Sequence, residues 1–346
     1  MVRCAVVAVL AGFACSAGAQ SVTLYGMVDA GVIIDKLDGA PTRAGVDSGL
    51  YAPSRFGMRG VESLGGATSA FFTLENGFST DSGMAGNGGR LFGREAHVGL
   101  RNPGWGAIWL GRTTNLGQKW TPTIVSPFGL SFILSGVYST FAFDEAPFGS
   151  GRVDNSVYYE TPAMKGLQFS GGYSFSVNGS EVPGAANNVR SLDLAARYTS
   201  GSLSAVANYL HSKQGSGGAR DPKSIIVGAS YDFGLLRLHG GYNRIQDAVT
   251  QPSGSAIGNT GWLTAARNDD NAYSMGVSAP VGKGRVMAGV QWLTSADVRI
   301  AAVGYTYSLS KRTMLYSFFA HNKTQNFTVS KDEKRQQLAL GVWHSF

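Results

Sequence analysis

Beyond residue 15 the sequence has no cysteine; Cys4 and Cys15 are the only two in 346 residues. Both lie in a stretch built like a secretory leader. Arg3 supplies a short positive start, residues 4–14 form an apolar run of eleven, and Ala17-Gly18-Ala19 is a small-x-small cleavage site. The mature chain is therefore expected to begin at Gln20, after cleavage near Ala19-Gln20. Eleven apolar residues cannot span a bilayer, which excludes a helical anchor. The alternative is a lipoprotein acylated at Cys15, but Gly12-Phe13-Ala14 lacks the leucine usual before such a cysteine. A thiol-free chain entering an oxidising compartment has no disulfides, no thiolate metal sites and no cysteine nucleophile.

Charge is sparse as well. Only 15% of residues are charged, and the net charge of +7 becomes +6 (28 basic, 22 acidic) when Arg3 leaves with the leader. The basic residues are scattered without a run, and in an exported chain this argues against nucleic acid as a partner. No run of 18 apolar residues follows Gln20, so no transmembrane helix is expected. The five histidines form no His-Glu-x-x-His motif. His211-Ser212 and His344-Ser345 are adjacent, and neighbours on a strand point to opposite faces, so neither pair makes a nucleophile and its base. Gly282-Lys283 lacks both the spacing and the hydroxyl residue of a phosphate loop and reads as a turn. Neither an enzyme, a metal nor a cofactor is expected.

Glycine and aromatics are plentiful, with 48 Gly, 18 Phe and 14 Tyr. Glycine costs about 1 kcal/mol against alanine inside a helix. The composition favours twisted strands, tight turns and aromatic belts. Apolar and polar residues alternate with period two over stretches of about 9–12 residues, the pattern of a tilted membrane strand. Val22, Leu24, Val28, Ala30, Val32 and Ile34 share one parity; Thr23, Tyr25, Asp29 and Asp35 share the other. Sixteen such segments are predicted, near residues 22–35, 50–61, 67–78, 91–101, 105–113, 153–161, 166–177, 190–199, 202–212, 223–233, 235–246, 271–280, 284–294, 297–308, 312–322 and 335–346.

Their connections alternate in length. Short ones lie at 62–66, 102–104, 162–166, 200–201, 233–234, 281–283 and 309–311; long polar ones lie near 36–49, 79–90, 114–152, 178–189, 213–222, 247–270 and 323–334. Only the link near Ser295 is short where a long one is expected. A soluble sandwich would not show this asymmetry, and no repeat of 40–50 residues marks propeller blades. The pattern predicts an all-β fold: a 16-stranded antiparallel transmembrane β-barrel over residues 20–346, with short periplasmic turns and long extracellular loops. An even strand number lets the first and last strands pair and removes the open edges.

In "SRFGMRG", residues 54–60, Phe56 and Met58 then face lipid while Arg55 and Arg59 face a water-filled lumen. An arginine on the lipid face near the midplane would cost about 2–4 kcal/mol. Acids of lumen parity are Asp29, Glu75, Glu95, Asp154 and Glu160.

The segments "SVTLYGMVDAGV", "SRFGMRGVESLGG", "LENGF", "GRLFGREAHVGL", "WLGR", "NSVYYETP", "GYTYSLSKRT" and the terminal "LALGVWHSF" resemble, in order, the general diffusion porins of Gram-negative bacteria, most closely those of β-proteobacteria. The resemblance runs from Gln20 to Phe346 and is weakest in the long loops. It implies a homotrimer of sixteen-stranded barrels in the outer membrane, in contact with lipid and lipopolysaccharide. Each barrel is narrowed by an inward-folded third loop and passes ions and small hydrophilic solutes. Phe346 resembles the terminal signal read by the barrel-assembly machinery, with an ordinary interfacial aromatic as the plainer reading. The second loop, with Gly83, Gly86, Gly88 and Gly89, matches the element that latches onto a neighbouring barrel.

The 114–152 segment is long for a loop in a compact protein and is rich in apolar and aromatic residues, which suits packing against an inner wall. Ser126-Pro127-Phe128-Gly129 stands where many porins carry Pro-Glu-Phe-Gly; Phe128 and Gly129 match, and Pro127 replaces the acid. No acid occurs between residues 113 and 143, and the first are Asp144 and Glu145. Arg55 matches the family's wall arginine, and Arg112 and Arg152 match other positions that supply basic side chains to the constriction. Arg94 has the wrong parity, given Ala96, Val98 and Leu100, unless a bulge intervenes or it lies above the membrane. Arg112 has a similar ambiguity beside Trp109. For each arginine the plainer reading is a solvated residue paired with an acid. One charge about 5 Å from an ion is worth about 0.8 kcal/mol at the dielectric of water. Two or three uncompensated arginines would then favour anions by a factor on the order of 10–100 before screening, with little pH dependence. The expectation is an anion-preferring general porin. The alternatives are a channel selective for phosphate, sulfate or small organic acids and, less favoured, an outer-membrane barrel enzyme.

Overall fold

A chain that alternates apolar and polar residues and is rich in glycine has one efficient way to satisfy its backbone away from water, which is lateral pairing into a closed sheet. The computed structural model describes residues 21–129, 151–215, 220–247, 269–294, 298–326 and 331–346. The leader with its cleavage site, and Asp144 and Glu145, lie outside the described residues.

Among the described residues, seventeen strand segments form one antiparallel sheet: β1 (Ser21–Leu37), β2 (Arg43–Ser48), β3 (Arg55–Gly65), β4 (Thr68–Gly77), β5 (Glu95–Asn102), β6 (Gly106–Thr114), β7 (Arg152–Glu160), β8 (Leu167–Ser174), β9 (Arg190–Ser200), β10 (Leu203–Lys213), β11 (Lys223–Asp232), β12 (Arg237–Gln246), β13 (Asp270–Val281), β14 (Gly284–Leu293), β15 (Val298–Ser308), β16 (Thr313–Asn326) and β17 (Lys331–Ser345). Two of these share one position in the wall. β2 pairs with residues 30–35 of β1, and β3 pairs with residues 21–27 of the same strand. They are one strand broken at residues 49–54, so the barrel has sixteen positions.

Two expected loops are corrected by this arrangement. The stretch 36–49, read as a long polar loop, is largely strand, because Val46 continues the outer apolar face while Asp47 turns inward. The departure from the wall comes instead at residues 49–54, where Gly49 takes a left-handed conformation and Leu50 is buried. Similarly, the expected loop at 323–334 is mostly the continued pairing of β16 with β17.

The first and last strands close the tube. β1 and β17 pair from Met27 opposite Ser345 to Leu37 opposite Arg335. The chain ends extend this seam, since Phe346 donates its amide to the Gly26 carbonyl and Gly26 donates to Phe346. On the outer face Val22, Leu24, Val32 and Leu340 are 54–63% exposed, whereas Asp29, Ile33, Asp35 and Gln337 on the inner face are buried. Phe56 and Met58 are exposed on the outer face, as their parity requires. Tyr159, Phe169, Tyr198, Tyr231, Tyr307 and Phe346 stand exposed near the short-turn end, where a membrane barrel carries an aromatic girdle.

The inner side of the seam is tied by polar contacts. Arg335 donates through Nε (2.8 Å) and Nη2 (2.5 Å) to the two carboxylate oxygens of Asp35. Tyr316 lies flat over Gly341 and Gly31 and donates its hydroxyl to Asp29 Oδ1 at 2.8 Å. A Cβ on Gly341 would fall 2.2 Å from that hydroxyl oxygen. Gly341→Val should therefore push Tyr316 off Asp29 and destabilise the folded barrel by about 1–3 kcal/mol. The urea midpoint of the barrel in detergent would show this, and an unchanged midpoint would contradict it.

Candidate functional site

Beyond β6 the chain turns into the barrel. Asn115 caps a short helix, α1 (Leu116–Trp120), by accepting the Gln118 amide on its side-chain oxygen at 2.8 Å. A second turn of helix, α2 (Pro122–Val125), begins with proline at a position where the missing amide costs nothing. The wall receives α1 through Asp193 on β9. Its carboxylate accepts the Leu116 amide (2.6 Å), the Asn208 side-chain amide (2.7 Å) and the Tyr158 hydroxyl (3.2 Å). Lys119 sits over the Trp109 ring at 4.6 Å, and Arg197 over Trp120 at 4.4 Å.

The segment then continues along the neighbouring strands β11 to β14, docking through glycines. Val125 is buried where a Cβ on Gly228 would come within 2.3 Å, and Pro127 occupies the space over Gly276, at 2.5 Å from such an atom. Phe128 is buried beside Gly289, and Gly129 takes a left-handed conformation at the edge of the described segment. Residues 115–129 therefore line the inner wall from β9 to β14.

Facing this segment is a cluster of ionic groups on β3, β4, β5 and β7. Arg94 Nε donates to Glu75 Oε1 at 2.6 Å, and Arg55 lies 4.0 Å from the same oxygen. Tyr25 donates its hydroxyl to Glu75 Oε2 at 2.9 Å. Arg152 stands close enough for its charge to act on both Arg94 and Glu95. Glu95 accepts from the Thr114 amide and hydroxyl and pairs with His97 at 3.3 Å. Three arginines, Arg55, Arg94 and Arg152, thus gather around two carboxylates. Arg94 joins them because it precedes β5 rather than lying within it; the alternation that sends Ala96 outward has not yet begun.

Arg112 and Asp154 depart from the positions read for them. The ladder between β6 and β7 shifts register between Gly111 and Thr113, and Asn155 takes a left-handed conformation. This bulge puts Val153 on the inner face opposite Thr113 and turns Asp154 away from it. Asp154 there accepts from Arg112 Nη1, from Arg90 (2.8 Å) and from the Gly179 amide (2.7 Å). Arg112 lies opposite Ala96, on the parity of exposed Leu110, and its Nε donates to the Gly93 carbonyl. The pair ties the second loop to the wall on the outer parity, with Arg152 still near enough for its charge to act on Arg112.

The remaining residues are dispersed. Arg59 lies four residues along β3 from Arg55, about 13 Å nearer the short-turn end, with its guanidinium 5.2 Å from the centre of the Tyr25 ring. Glu160 accepts from Gln168 at 2.8 Å near the same end. Asp29 is fully buried and held by Tyr316, Tyr51 and Ala52. Lys119, Arg197 and His97 were not singled out from sequence. Lys119 was findable as the only cation between residues 113 and 143, and Arg197 by its parity with Asp193. Among the described residues no group of three or more His, Cys, Asp or Glu side chains could hold a metal ion.

Residues 5–326 match the family model described as Gram-negative porin. The chain is 35% identical to an outer membrane porin protein of Bordetella pertussis, over 98% of each chain. It is 30% identical to outer membrane porin protein 32 of Delftia acidovorans, again over 98% of each. Among solved structures, an anion-selective porin from Comamonas acidovorans superposes with a TM-score of 0.76 at 27% identity, covering 95% of this chain and 100% of that one.

The hold of Asp193 on the inner segment is open to direct test. Asp193→Ala would leave the Leu116 amide buried without its acceptor, at about 1–3 kcal/mol. Residues 115–129 should then be cut faster by added protease, with the surrounding barrel still resistant; an unchanged rate would show that the glycine seats alone retain the segment.

Proposed function

The chain belongs to the Gram-negative porin family, and from that premise we propose that the cluster of Arg55, Arg94 and Arg152 is the constriction that makes this outer-membrane diffusion channel prefer anions. The protein is an integral outer-membrane barrel for passive diffusion of small hydrophilic solutes and ions. One observation carries the anion reading. Arg55, Arg94 and Arg152 gather around Glu75 and Glu95, and the sequence that follows β6 carries no acid from residue 113 to residue 143. Lys119, on that segment, adds to the positive side.

The structure also moderates the expected size of the effect. Glu75 and Glu95 offset part of the charge of the three guanidiniums, and a net surplus of one or two positive charges, Lys119 included, is the expectation that the reversal potential tests. At about 0.8 kcal/mol each this favours an anion by about 4- to 15-fold before screening. Arg59 supplies a further positive charge on the path toward the short-turn end, while Arg112 is largely neutralised by Asp154. Glu160 and Asp29 are held by neutral donors away from the cluster and weigh little on it.

Several parts of the reading concern assembly. Cleavage near Ala19-Gln20 would start the mature chain just before β1. Phe346, at the end of the closing seam, is the residue suited to recognition by the barrel-assembly machinery. The second loop, pinned to its own wall by Arg90 and Arg112 on Asp154, projects Gly83 and Gly88 in left-handed conformations suited to a latch on a neighbouring barrel, and this supports a homotrimer.

The reversal potential across a bilayer in a potassium chloride gradient tests the constriction. The wild-type channel should favour chloride by several-fold. Arg55→Glu changes the local balance by two charges and should bring the ratio to unity or below. An unaltered ratio would remove Arg55 from the constriction, and a cation preference in the wild type would overturn the reading.

A further inference from the structure

A second group of cations lies past the inner segment, toward the short-turn end. Residues 126–129, the last described part of that segment, roof a cavity of about 480 Å³ against β12, β13, β14 and β15. Arg237, Lys283 and Arg285 line it, with His239 beside Arg237, and no carboxylate is among the lining residues.

The strand register sets this placement. Arg237 opens β12 two residues before His239, and His239 is buried on the inner face against the Ile124 carbonyl, so Arg237 shares its inward parity. Arg285 lies opposite Thr306 and shares the inward parity of buried Met287. Lys283 occupies the turn that joins β13 to β14.

Among the described residues no acid neutralises these cations. Arg237 makes one side-chain contact, a long one from Nη2 to Ser204 Oγ at 3.3 Å, and its buried Nε has no hydrogen-bond partner. Among the described residues Arg237, Lys283 and Arg285 form no ion pair. The nearest acid by register is Asp232, opposite Arg237, and its carboxylate accepts the Gly234 amide at 2.8 Å. An arginine with a buried, unused donor beside two further cations is a site short of an acceptor. Guanidinium forks match tetrahedral and planar oxyanions, and a multiply charged ion gains from every cation present.

We propose that this cavity is a binding site for a small multiply charged oxyanion, reached from the periplasmic side and distinct from the Arg55–Arg94–Arg152 cluster. It would hold such an ion in series with the constriction, concentrating dianions at the inner mouth while leaving monovalent ions nearly unaffected. The proposal rests on the channel reading but not on which residues set ion preference.

Inorganic phosphate at pH 8, where it is mainly a dianion, is a suitable probe. Added on the periplasmic side of single channels in potassium chloride, it should reduce the chloride current in a saturable way, and chloride or acetate at equal ionic strength should not. Each of Arg237→Gln, Arg285→Gln and Lys283→Gln should weaken the half-blocking concentration by up to about tenfold, with the chloride-to-potassium ratio changed less than twofold. Lys283 lies on an exposed turn, so its variant tests the site even if a wall arginine proves necessary for folding. Absence of block, or equal block in wild type and the Lys283→Gln and Arg285→Gln variants, overturns the proposal and leaves the constriction reading intact. Block abolished by Arg55→Glu alone overturns it as well, by assigning phosphate to the constriction. Block retained in Arg55→Glu with chloride preference lost supports it.

Discussion

In hydrocarbon an unpaired backbone amide or carbonyl has no solvent to turn to, and a sheet that crosses a membrane must therefore close on itself. Everything else here follows from the seam where β1 meets β17. Its register brings Asp35 beside Gln337, within reach of Arg335, and lays Tyr316 over two glycines to reach Asp29. These contacts make closure specific on the inner face, where polar groups can reach one another, while the outer face contributes only apolar side chains and an aromatic rim. Phe346 completes the ladder with Gly26, so the last residue of the chain is part of the closure.

A closed tube with its apolar face outward leaves the interior to be filled by something other than a conventional core. The inner segment does this with unusual economy of side chains on the wall. Where Val125 and Pro127 dock, the wall presents Gly228 and Gly276, so the fit is side chain against bare backbone. Such seats hold residues 115–129 close to one half of the barrel, away from the strands that carry Arg55 and Arg152. Packing on one side of the lumen thereby determines where charge can meet a passing ion on the other.

Much of this was legible in the sequence, because alternation with period two is imposed directly by the two solvents. Sixteen wall positions, the inner parity of Arg55 and Glu75 and the outer parity of Phe56 and Met58 all follow from it. The rule failed where the alternation itself is interrupted. Arg94 points inward because its strand begins one residue later, and Arg112 and Asp154 turn away from the lumen because a bulge with a left-handed Asn155 resets the face. A single extra residue exchanges inside for outside, and nothing in the local composition of "LGRTT" or "GRVDNS" announces it. Strand length was similarly hidden: β2 and the ends of β16 and β17 are polar enough to read as loop, since above the membrane both faces of a strand meet water.

The distribution of acids decides what kind of field the lumen carries. Had the inner segment borne carboxylates, they would have stood across the pore from the arginines and made a transverse dipole, strong locally but nearly neutral in sum. Here Glu75 and Glu95 lie on the same wall as the guanidiniums and partly cancel them at contact distance, and on the proposed reading what survives is a small excess of one sign. A net charge of this kind acts along the whole width of the passage, but its reach is a Debye length, about 8 Å at physiological ionic strength. It is enough to bias which ions enter a narrow throat and too little to hold a monovalent ion there. A weak, single-signed field suits passage of many small solutes, because it sorts by charge without asking anything of their shape.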